Sequence, residues 1–387
     1  MDLFTARWSR SSGWSAPLPA WDGPGTLVLV FGDSDLLEDD TPLRPVVEAY
    51  PRSAMIGCST VGAILGADIY DESVAVAVAR FERTTLAVEV EPADRSDSAG
   101  VGLAIGKRLR DRCDDLRAVF VMADGFDVNG SALADGLTEG TNGTAAITGG
   151  LAGDGSHFER TWVLVDGHPR ASYVSAVGLF GAAIEVSNGA EGGWTILGPQ
   201  GVITRSDGNE LLELDHRPAL EVYEAYLGES VSDLPGTALM FPLGIRTGGP
   251  QDPLLIRTVL SVSEARQSMT FTDEVPEGAT AQLMRGTTGR LVDAAQTAAT
   301  QADAAVTAAG HPKGSEPGLA ILVSGAGRRL YLGQRAEEEL EAVMSELSPT
   351  YHLVGFYSYG ELAPVSGGSC FLHNMTMTIT VFRERPE

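Results

Sequence analysis

One order of predicted elements recurs three times in this sequence. In each copy a strand and a helix lead to a second strand, then to a glycine-flanked loop of small polar residues, and then to a returning strand. The loops span residues 57 to 62, 149 to 155 and 355 to 360, and the returning strands end at Phe81, Phe180 and Phe382. This repeat predicts an α/β fold, a layered sandwich of strand-helix-strand units with mixed sheets.

The length of 387 residues exceeds the usual size of one domain, so we expect two. Residues 1 to 25 contain Trp8, Trp14 and Trp21 among Ser, Pro and Gly, which indicates an irregular arm whose tryptophans dock on the body. Glycines cluster at residues 189 to 193, between apolar strands. We therefore predict an N-terminal domain over residues 26 to 190 and a C-terminal domain over residues 191 to 387.

The charge balance argues against nucleic acids and membranes as partners. With 52 acidic and 27 basic side chains the formal net charge is -25, and such a chain repels phosphate backbones and anionic lipid surfaces. No apolar run reaches the roughly 18 residues that a membrane span needs, and the start lacks a signal-peptide pattern. The three cysteines, Cys58, Cys113 and Cys370, are far apart, which favours a reducing compartment. A cytoplasmic protein is expected.

The most informative stretch lies near the end of the chain. A bend-prone segment over residues 355 to 364 is followed by a predicted strand over residues 370 to 382. Alternation places Asn374 and Thr376 on a polar face of that strand, while His373 lies on the apolar face. Buried polar side chains need hydrogen-bonding partners, and a small polar ligand is one such partner.

Nine residues are therefore candidates for contacts with a small ligand. Arg257 and Arg285 interrupt apolar strands, and a guanidinium there suits a carboxylate. Ser358, Tyr359 and Glu361 belong to a glycine-bounded loop whose backbone N–H groups suit an anion. The remaining candidates, all on the last predicted strand, are Cys370, His373, Asn374 and Thr376. Ser59, Thr60, Asp154 and His157 occupy comparable places in the earlier copies.

Each candidate also has a purely structural interpretation. Arg257 and Arg285 fit structural salt bridges or a solvent-facing side of a strand. Glycines around Ser358 fit a tight turn. His373 fits a satisfied core histidine, and Cys370 a small packing residue. The sequence leaves these alternatives open.

Enzymatic function is not expected. No glycine loop is followed by a Walker lysine, no GxSxG elbow occurs, and Gly100 and Gly102 lack the rest of a dinucleotide fingerprint. A nucleophilic pair of Cys370 and His373, oriented by Asn374, is the remaining option. Alternation along a strand points these side chains apart unless a bulge intervenes.

The order and wording of these motifs resemble the FIST family, which has paired FIST N and FIST C domains. The resemblance covers nearly the whole chain beyond about residue 25. It rests on residues 57 to 60 and 149 to 155 in the first half, and on residues 255 to 257, 276 to 278, 283 to 285, 355 to 361 and 372 to 378 in the second. The closing motif is the most specific part.

The resemblance implies a sensory signal-transduction protein that binds a small ligand, such as an amino acid, without a cofactor. Some relatives bind haem as nitric oxide sensors, so a haem sensor with His373 as iron ligand is the alternative. No kinase, cyclase or methyl-accepting segment is evident, which implies signalling through a separate partner protein. We expect a ligand carboxylate to meet the loop over residues 355 to 361 and Arg257, in the C-terminal half.

Overall fold

A computed structural model of the chain describes residues 1–155, 157–227, 240–249, 252–308, 316–365 and 368–385. The polar residues 310 to 317, which contain glycines and prolines and for which the sequence predicts a loop, lie mainly outside these ranges. The described residues form three repeats and one inserted module, and the α/β class with mixed sheets is confirmed. Among the described residues, no helix is both long and apolar enough to cross a membrane.

The first repeat begins at the N-terminus. Its strand β3 is a fully buried apolar run, as the sequence predicts for a strand covered on both faces. Its elements are β1 (Asp2–Ser9), β2 (Gly13–Trp14), β3 (Thr26–Gly32), α1 (Arg44–Ala49), β4 (Ala54–Ser59), β5 (Ala63–Leu65), β6 (Asp68–Tyr70) and β7 (Ser73–Arg80).

The second repeat has the same order with longer helices. Asp166 and Gly167 turn its hairpin with positive φ values of 51° and 80°, as the Asp-Gly pair predicts. Its elements are β8 (Thr85–Pro92), α2 (Ser98–Arg112), β9 (Leu116–Ala123), α3 (Gly130–Gly140), β10 (Ala146–Leu151), β11 (Val163–Val165), β12 (His168–Arg170) and β13 (Tyr173–Phe180). The sequence suggests Ser98 as the N-cap of α2, but the structure has Asp97 as the cap, and the Asp97 side chain accepts a hydrogen bond from Gly100 N.

The inserted module separates the leading strand of the third repeat, β14 (Ile184–Glu191), from the rest of that repeat. Its elements are β15 (Thr195–Asp207), β16 (Glu210–Leu214), β17 (Arg217–Pro218), α4 (Ala219–Leu227), β18 (Leu243–Arg246), β19 (Leu255–Arg257), β20 (Val259–Ser263), β21 (Ser268–Phe271) and β22 (Thr280–Arg285). These strands form a sheet of their own around a separate apolar core.

A long helix leads from the inserted module back into the third repeat. The remaining elements are α5 (Thr288–Ala308), β23 (Gly318–Gly325), α6 (Ala326–Leu332), α7 (Glu337–Glu346), β24 (Tyr351–Ser358), β25 (Gly360–Pro364), β26 (Cys370–His373) and β27 (Met377–Glu384). The many alanines in this part of the sequence predict a helix that packs closely on a sheet, and the alanines of α5 do pack against the outer face of the third repeat's sheet.

The three repeats exchange hairpins in a ring. Each repeat builds one mixed sheet in which its first two core strands pair in parallel: β3 with β4, β9 with β10, and β23 with β24. The following hairpin joins the sheet of another repeat. Hairpin β5-β6 extends the third sheet, β11-β12 the first and β25-β26 the second. Every sheet is therefore completed by a different repeat.

One apolar core lies between the three sheets. Phe31 stacks on Phe356 with ring centroids 4.8 Å apart, and Phe120 meets Phe382 edge-on at 6.3 Å. Helices α2 and α3 cover the outer face of the second sheet, and α5 and α7 cover that of the third. The sheets thus bury both faces, which explains their near-continuous apolar strands.

Three local predictions were wrong. Residues 1 to 25 are not an irregular arm throughout, because β1 pairs with β7 over its whole length; the three tryptophans do pack against the first sheet. The Gly-Pro-Gln-Gly stretch at residues 198 to 201 predicts a turn between two strands over residues 195 to 203, but the structure has one long strand there, β15. The predicted strand over residues 370 to 382 is two strands, β26 and β27. The chain bends between them at Met375, whose φ of 58° lies outside the β region.

The glycines at equivalent repeat positions serve close strand pairing. Gly57, Gly149 and Gly355 lie opposite Val30, Val121 and Leu322 in the parallel pairs. In all three a Cβ atom would collide with the carbonyl oxygen of the opposite residue. Most of the predicted loop over residues 355 to 360 is therefore strand in the structure, because β24 continues to Ser358.

The shared core predicts a large loss of stability for Phe356→Ala. Removing a fully buried ring that stacks on Phe31 should lower the free energy of unfolding by about 3–5 kcal/mol. Urea unfolding followed by circular dichroism measures this. The control Leu260→Ala, at a side chain 45% exposed, should change it by less than about 0.5 kcal/mol. Equal effects of the two changes would contradict the shared core.

Candidate functional site

The loops that follow β4, β10 and β24 meet at one end of the three sheets. Thr60 Oγ1 accepts hydrogen bonds from Tyr357 N at 3.1 Å and from Gly62 N at 2.9 Å. Tyr359 donates its hydroxyl to Asp154 in a short hydrogen bond. Residues at equivalent points of the three repeats are therefore in direct contact.

A cleft of about 1120 Å³ opens beside this junction. Thr60, Asp154 and His157 form part of its floor, and the N-terminal segment contributes Trp8 and Trp14 to its wall. We call this cavity the central cleft. Its size is sufficient for a metabolite-sized ligand.

The central cleft is acidic. Three arginines line it: Arg160 pairs with Asp35 at 2.7 Å, Arg329 pairs with Asp71 at 2.8 Å, and Arg10 has no ion pair among the described residues. Its seven carboxylates are Asp33, Asp35, Asp39, Asp71, Glu72, Asp154 and Glu159. The excess of carboxylates gives the cleft a negative potential.

Asp154 shapes the floor of the central cleft. Its buried carboxylate accepts backbone hydrogen bonds from Phe158 at 3.1 Å, Glu159 at 2.7 Å and Arg160 at 2.9 Å. The loop is thereby wrapped around one side chain. His157 bonds through Nδ1 to the carbonyl of Asp154 at 2.8 Å, and this bond raises the pKa of His157. A protonated His157 would offset part of the negative charge.

Helix α6 carries one arginine into the central cleft and another into the protein interior. Arg329 donates to the carbonyl of Val61 and lies over the ring of Tyr357, 5.6 Å from its centroid. Arg328 is fully buried and binds Glu339 through Nε at 3.0 Å and Nη2 at 2.8 Å. Two neighbouring residues therefore anchor the same short helix on opposite sides.

The buried Arg328 joins the third repeat to the inserted module. It donates to the carbonyls of Gly192 at 2.8 Å and Leu291 at 2.7 Å, which flank that module in the sequence. Its partner Glu339 also accepts from the hydroxyl of Tyr357 at 2.8 Å. Tyr357 in turn contacts Thr60 at the junction of the loops, so the network is continuous from the central cleft to the module.

The sequence-predicted residues around Glu361 bond to one another. Ser358 Oγ donates to Glu361 at 2.9 Å, and Thr376 N donates to its other oxygen at 2.9 Å. All three residues are buried, Glu361 completely. Burial raises the pKa of Glu361 to about 8, above its ordinary value of 4.5. The protein's own atoms occupy the corner where the sequence predicted a ligand pocket.

Arg257 has the structural role that the sequence left as an alternative. It is 5% exposed, pairs with Asp273 at 2.9 Å and donates to the carbonyl of Leu372 at 3.3 Å. Arg257 lines neither the central cleft nor the smaller cavity between α6 and the inserted module. The predicted contact between its guanidinium and a ligand carboxylate therefore has no geometric support.

The last strand positions also have protein partners. Asn374 accepts from Thr272 Oγ1 at 2.8 Å and donates to the carbonyl of Tyr359 at 3.3 Å. His373 Nε2 lies 3.2 Å from the carbonyl of Ala363, and burial lowers the pKa of His373 to about 4. Burial raises the pKa of the Cys370 thiol. Cys370 and His373 share no hydrogen bond in the part of the chain that the structure describes, so they do not form a nucleophile-base pair.

Two of the nine predicted residues do lie near a cavity. Tyr359 stacks on Phe158 at 5.1 Å and holds Asp154 in the floor of the central cleft, although it is not itself a wall residue. Arg285 is exposed and lines a second, smaller cavity. Sequence reasoning missed Arg329 and Asp71. It ranked Thr60, Asp154 and His157 below the last loop, although repeat equivalence pointed to them equally.

The arrangement defines a three-repeat α/β protein with an inserted module and an acidic cleft at the junction of equivalent loops. Its sequence matches the FIST N domain over residues 26–217 and the FIST C domain over residues 219–364. The chain belongs to the FIST family, as its motifs predict. A search of curated proteins finds no match.

Solved structures align with the chain only loosely. A chorismatase crystal structure aligns over 99% of this chain and 98% of its own at 9% identity, with a TM-score of 0.37. A cyanuric acid hydrolase from A. caulinodans aligns over 99% of both chains at 8% identity, with a TM-score of 0.39. Likeness at this level carries no functional argument.

The paired burial of Arg257 and Asp273 predicts that Arg257→Ala lowers stability without acting on a ligand. Leaving the buried Asp273 carboxylate without its cationic partner should reduce the free energy of unfolding, measured in urea, by about 3–5 kcal/mol. The exposed Arg266, paired with Glu210, provides the control Arg266→Ala, which should cost less than about 1 kcal/mol. Comparable losses in the two variants would refute the structural role.

The raised pKa of Glu361 predicts a pH dependence of stability. Between about pH 4.5 and pH 8 the folded protein retains a proton that the unfolded chain releases, so stability should fall as the pH rises through this window. The loss should be on the order of a few kcal/mol. In Glu361→Gln, which cannot ionise, this part of the slope should vanish. Urea unfolding at several pH values tests this, and identical slopes would show that Glu361 is ionised in the folded state.

Proposed function

We propose that this protein is a sensory protein that binds a small ligand in the central cleft. Membership of the FIST family supports ligand sensing as the class of function. The cleft itself is the observation that carries the proposal. It is large, it lies where equivalent loops of the repeats meet, and it is lined by polar side chains rather than filled by them.

The electrostatics of the cleft favour a ligand with a positive group. Seven carboxylates face three arginines, two of which are already paired. An ammonium group gains from such a potential, whereas a purely anionic ligand is repelled. Trp8 and Trp14 add aromatic surface that suits an organic cation, whereas the ring of Tyr70 already has the guanidinium of Arg7 over it at 4.1 Å. An amine-bearing metabolite such as an amino acid fits this pattern, with Arg10 available for a carboxylate.

The location differs from the one that the sequence favoured. Arg257, Ser358 and Glu361 are buried and saturated by contacts within the protein, whereas the central cleft is built mainly by the first two repeats. The haem alternative has no comparable support, because His373 lines neither described cavity and its Nε2 is already bonded.

Helix α6 provides a route by which binding would be communicated. A ligand that competes with Arg329 for Asp71 would alter the anchor of α6 in the cleft. Arg328 of the same helix donates hydrogen bonds to the carbonyls of Gly192 and Leu291, which flank the inserted module. A displacement of α6 would therefore shift the position of that module. Differential binding to two arrangements of that module would then present a different surface to a cytoplasmic signalling partner.

Isothermal titration calorimetry with a panel of amino acids and amines tests the proposal. The intact protein should bind at least one cationic or zwitterionic compound, and Asp71→Asn and Asp33→Asn should weaken that binding about tenfold each, since each removes a carboxylate from the wall. Affinity should fall with added salt.

Asp207→Asn is the matched control, because Asp207 is a carboxylate in the inserted module that does not line the central cleft. It should bind like the unmodified protein. Panel-wide absence of binding, or binding that ignores both cleft substitutions, would refute the central cleft as the ligand site.

A further inference from the structure

A second cavity lies where α6 meets the inserted module. It measures about 520 Å³ and is formed by the start of β15, the end of β22, the start of α5 and Tyr331 of α6. We call it the junction cleft. The junction cleft is separate from the central cleft, because none of its wall residues also lines the central cleft.

The charge of the junction cleft is opposite to that of the central cleft. Arg285 and Arg290 line it, and no carboxylate is among its wall residues. Within the described ranges neither guanidinium has an ion pair or a hydrogen bond, although the chain has a formal charge of -25. The other exposed arginines of the inserted module are paired, namely Arg205 with Glu213, Arg217 with Glu221 and Arg266 with Glu210. Among the exposed arginines of the module, Arg285 therefore differs in having no ion pair within the described ranges, and Arg290 lies near it at the start of α5.

The backbone around the two arginines is held by its own hydrogen bonds. Thr195 Oγ1 donates to the carbonyl of Arg285 at 3.1 Å, and Tyr331 donates its hydroxyl to the carbonyl of Gly286 at 3.0 Å. Arg290 N donates to Thr287 Oγ1 at 3.3 Å at the start of α5. The main chain that carries the guanidinium groups is thus positioned, while the groups themselves have no partner among the residues that the structure describes.

We propose that the junction cleft binds a small organic anion through Arg285 and Arg290. Each guanidinium presents a planar fork that matches a carboxylate or a phosphate, so a ligand with two negative charges would use both. Ile196, Met240 and Phe241 supply an apolar wall for the carbon skeleton of such a ligand. Because the net charge of the chain is -25, most of its surface disfavours anions, and a cavity lined by two arginines is a preferred place for an anion to bind.

This inference goes beyond the sensory role of the central cleft and does not require it. Tyr331 and Arg329 belong to the same helix, so an anion in the junction cleft would contact the element that also borders the central cleft. The junction cleft is therefore a second binding site for a ligand of opposite charge.

Calorimetry of the full chain at low salt, with succinate and separately with inorganic phosphate, tests the junction cleft. The unmodified protein should bind at least one of them with a dissociation constant of about 1 mM or tighter. The double variant Arg285→Ala/Arg290→Ala should weaken binding at least about tenfold, because two charge-assisted contacts are lost. The variant Arg285→Lys/Arg290→Lys should retain part of the affinity, since it keeps the charges but loses the forks.

Arg266→Ala serves as the control for an exposed arginine elsewhere in the module. It should bind the anion as the unmodified protein does. Preference for succinate or for phosphate identifies the anionic group. Failure of both probes to bind at about 10 mM, persistence of binding in the double alanine variant, or an equal loss in Arg266→Ala would overturn the proposal.

Discussion

The apolar interior enclosed by the three sheets is the constraint on which the rest of the structure depends. Each sheet must bury one face against the other two, so all three contribute large side chains such as Phe31, Phe120 and Phe356 to the same space. Their outer faces are covered by helices or by the N-terminal tryptophans. Polar loops are consequently confined to the ends of the strands, and the central cleft forms where three equivalent loops cannot close completely over the core.

The sequence was sufficient for the repeat, for most strands and helices, and for the family. Periodicity and the glycine positions are local signals, and buried strands such as β3 show them clearly. The exchange of hairpins could not be predicted, because the pairing of β5 with β24 leaves no trace in either segment. Residues 2 to 9 were not predicted as a strand for the same reason, because their partner strand β7 lies about 70 residues further along the chain.

The candidate site was harder to predict for a related reason. A buried polar residue such as Glu361 requires a partner, but the sequence does not say whether a ligand or the protein supplies it. Here Ser358 and Thr376 supply it. In the same way, Asp273 of the protein rather than a ligand carboxylate pairs with Arg257. Arg285 interrupts an apolar strand as Arg257 does, so the sequence gives both the same interpretation. In the structure, by contrast, the Arg285 side chain has no partner in the described part of the chain.

The ring of exchanged hairpins has a consequence for synthesis of the protein. Strand β10 (Ala146–Leu151) emerges from the ribosome long before the hairpin that covers its free edge, β25-β26, which begins at Gly360. Until then the nascent polypeptide exposes an unpaired edge of an apolar sheet, the kind of surface that recruits chaperones or aggregates. Hairpin β11-β12 can join the first sheet early, but the ring cannot close until the third repeat has been synthesised. Products of translation that stop before residue 360 should therefore be degraded rather than accumulate as folded fragments.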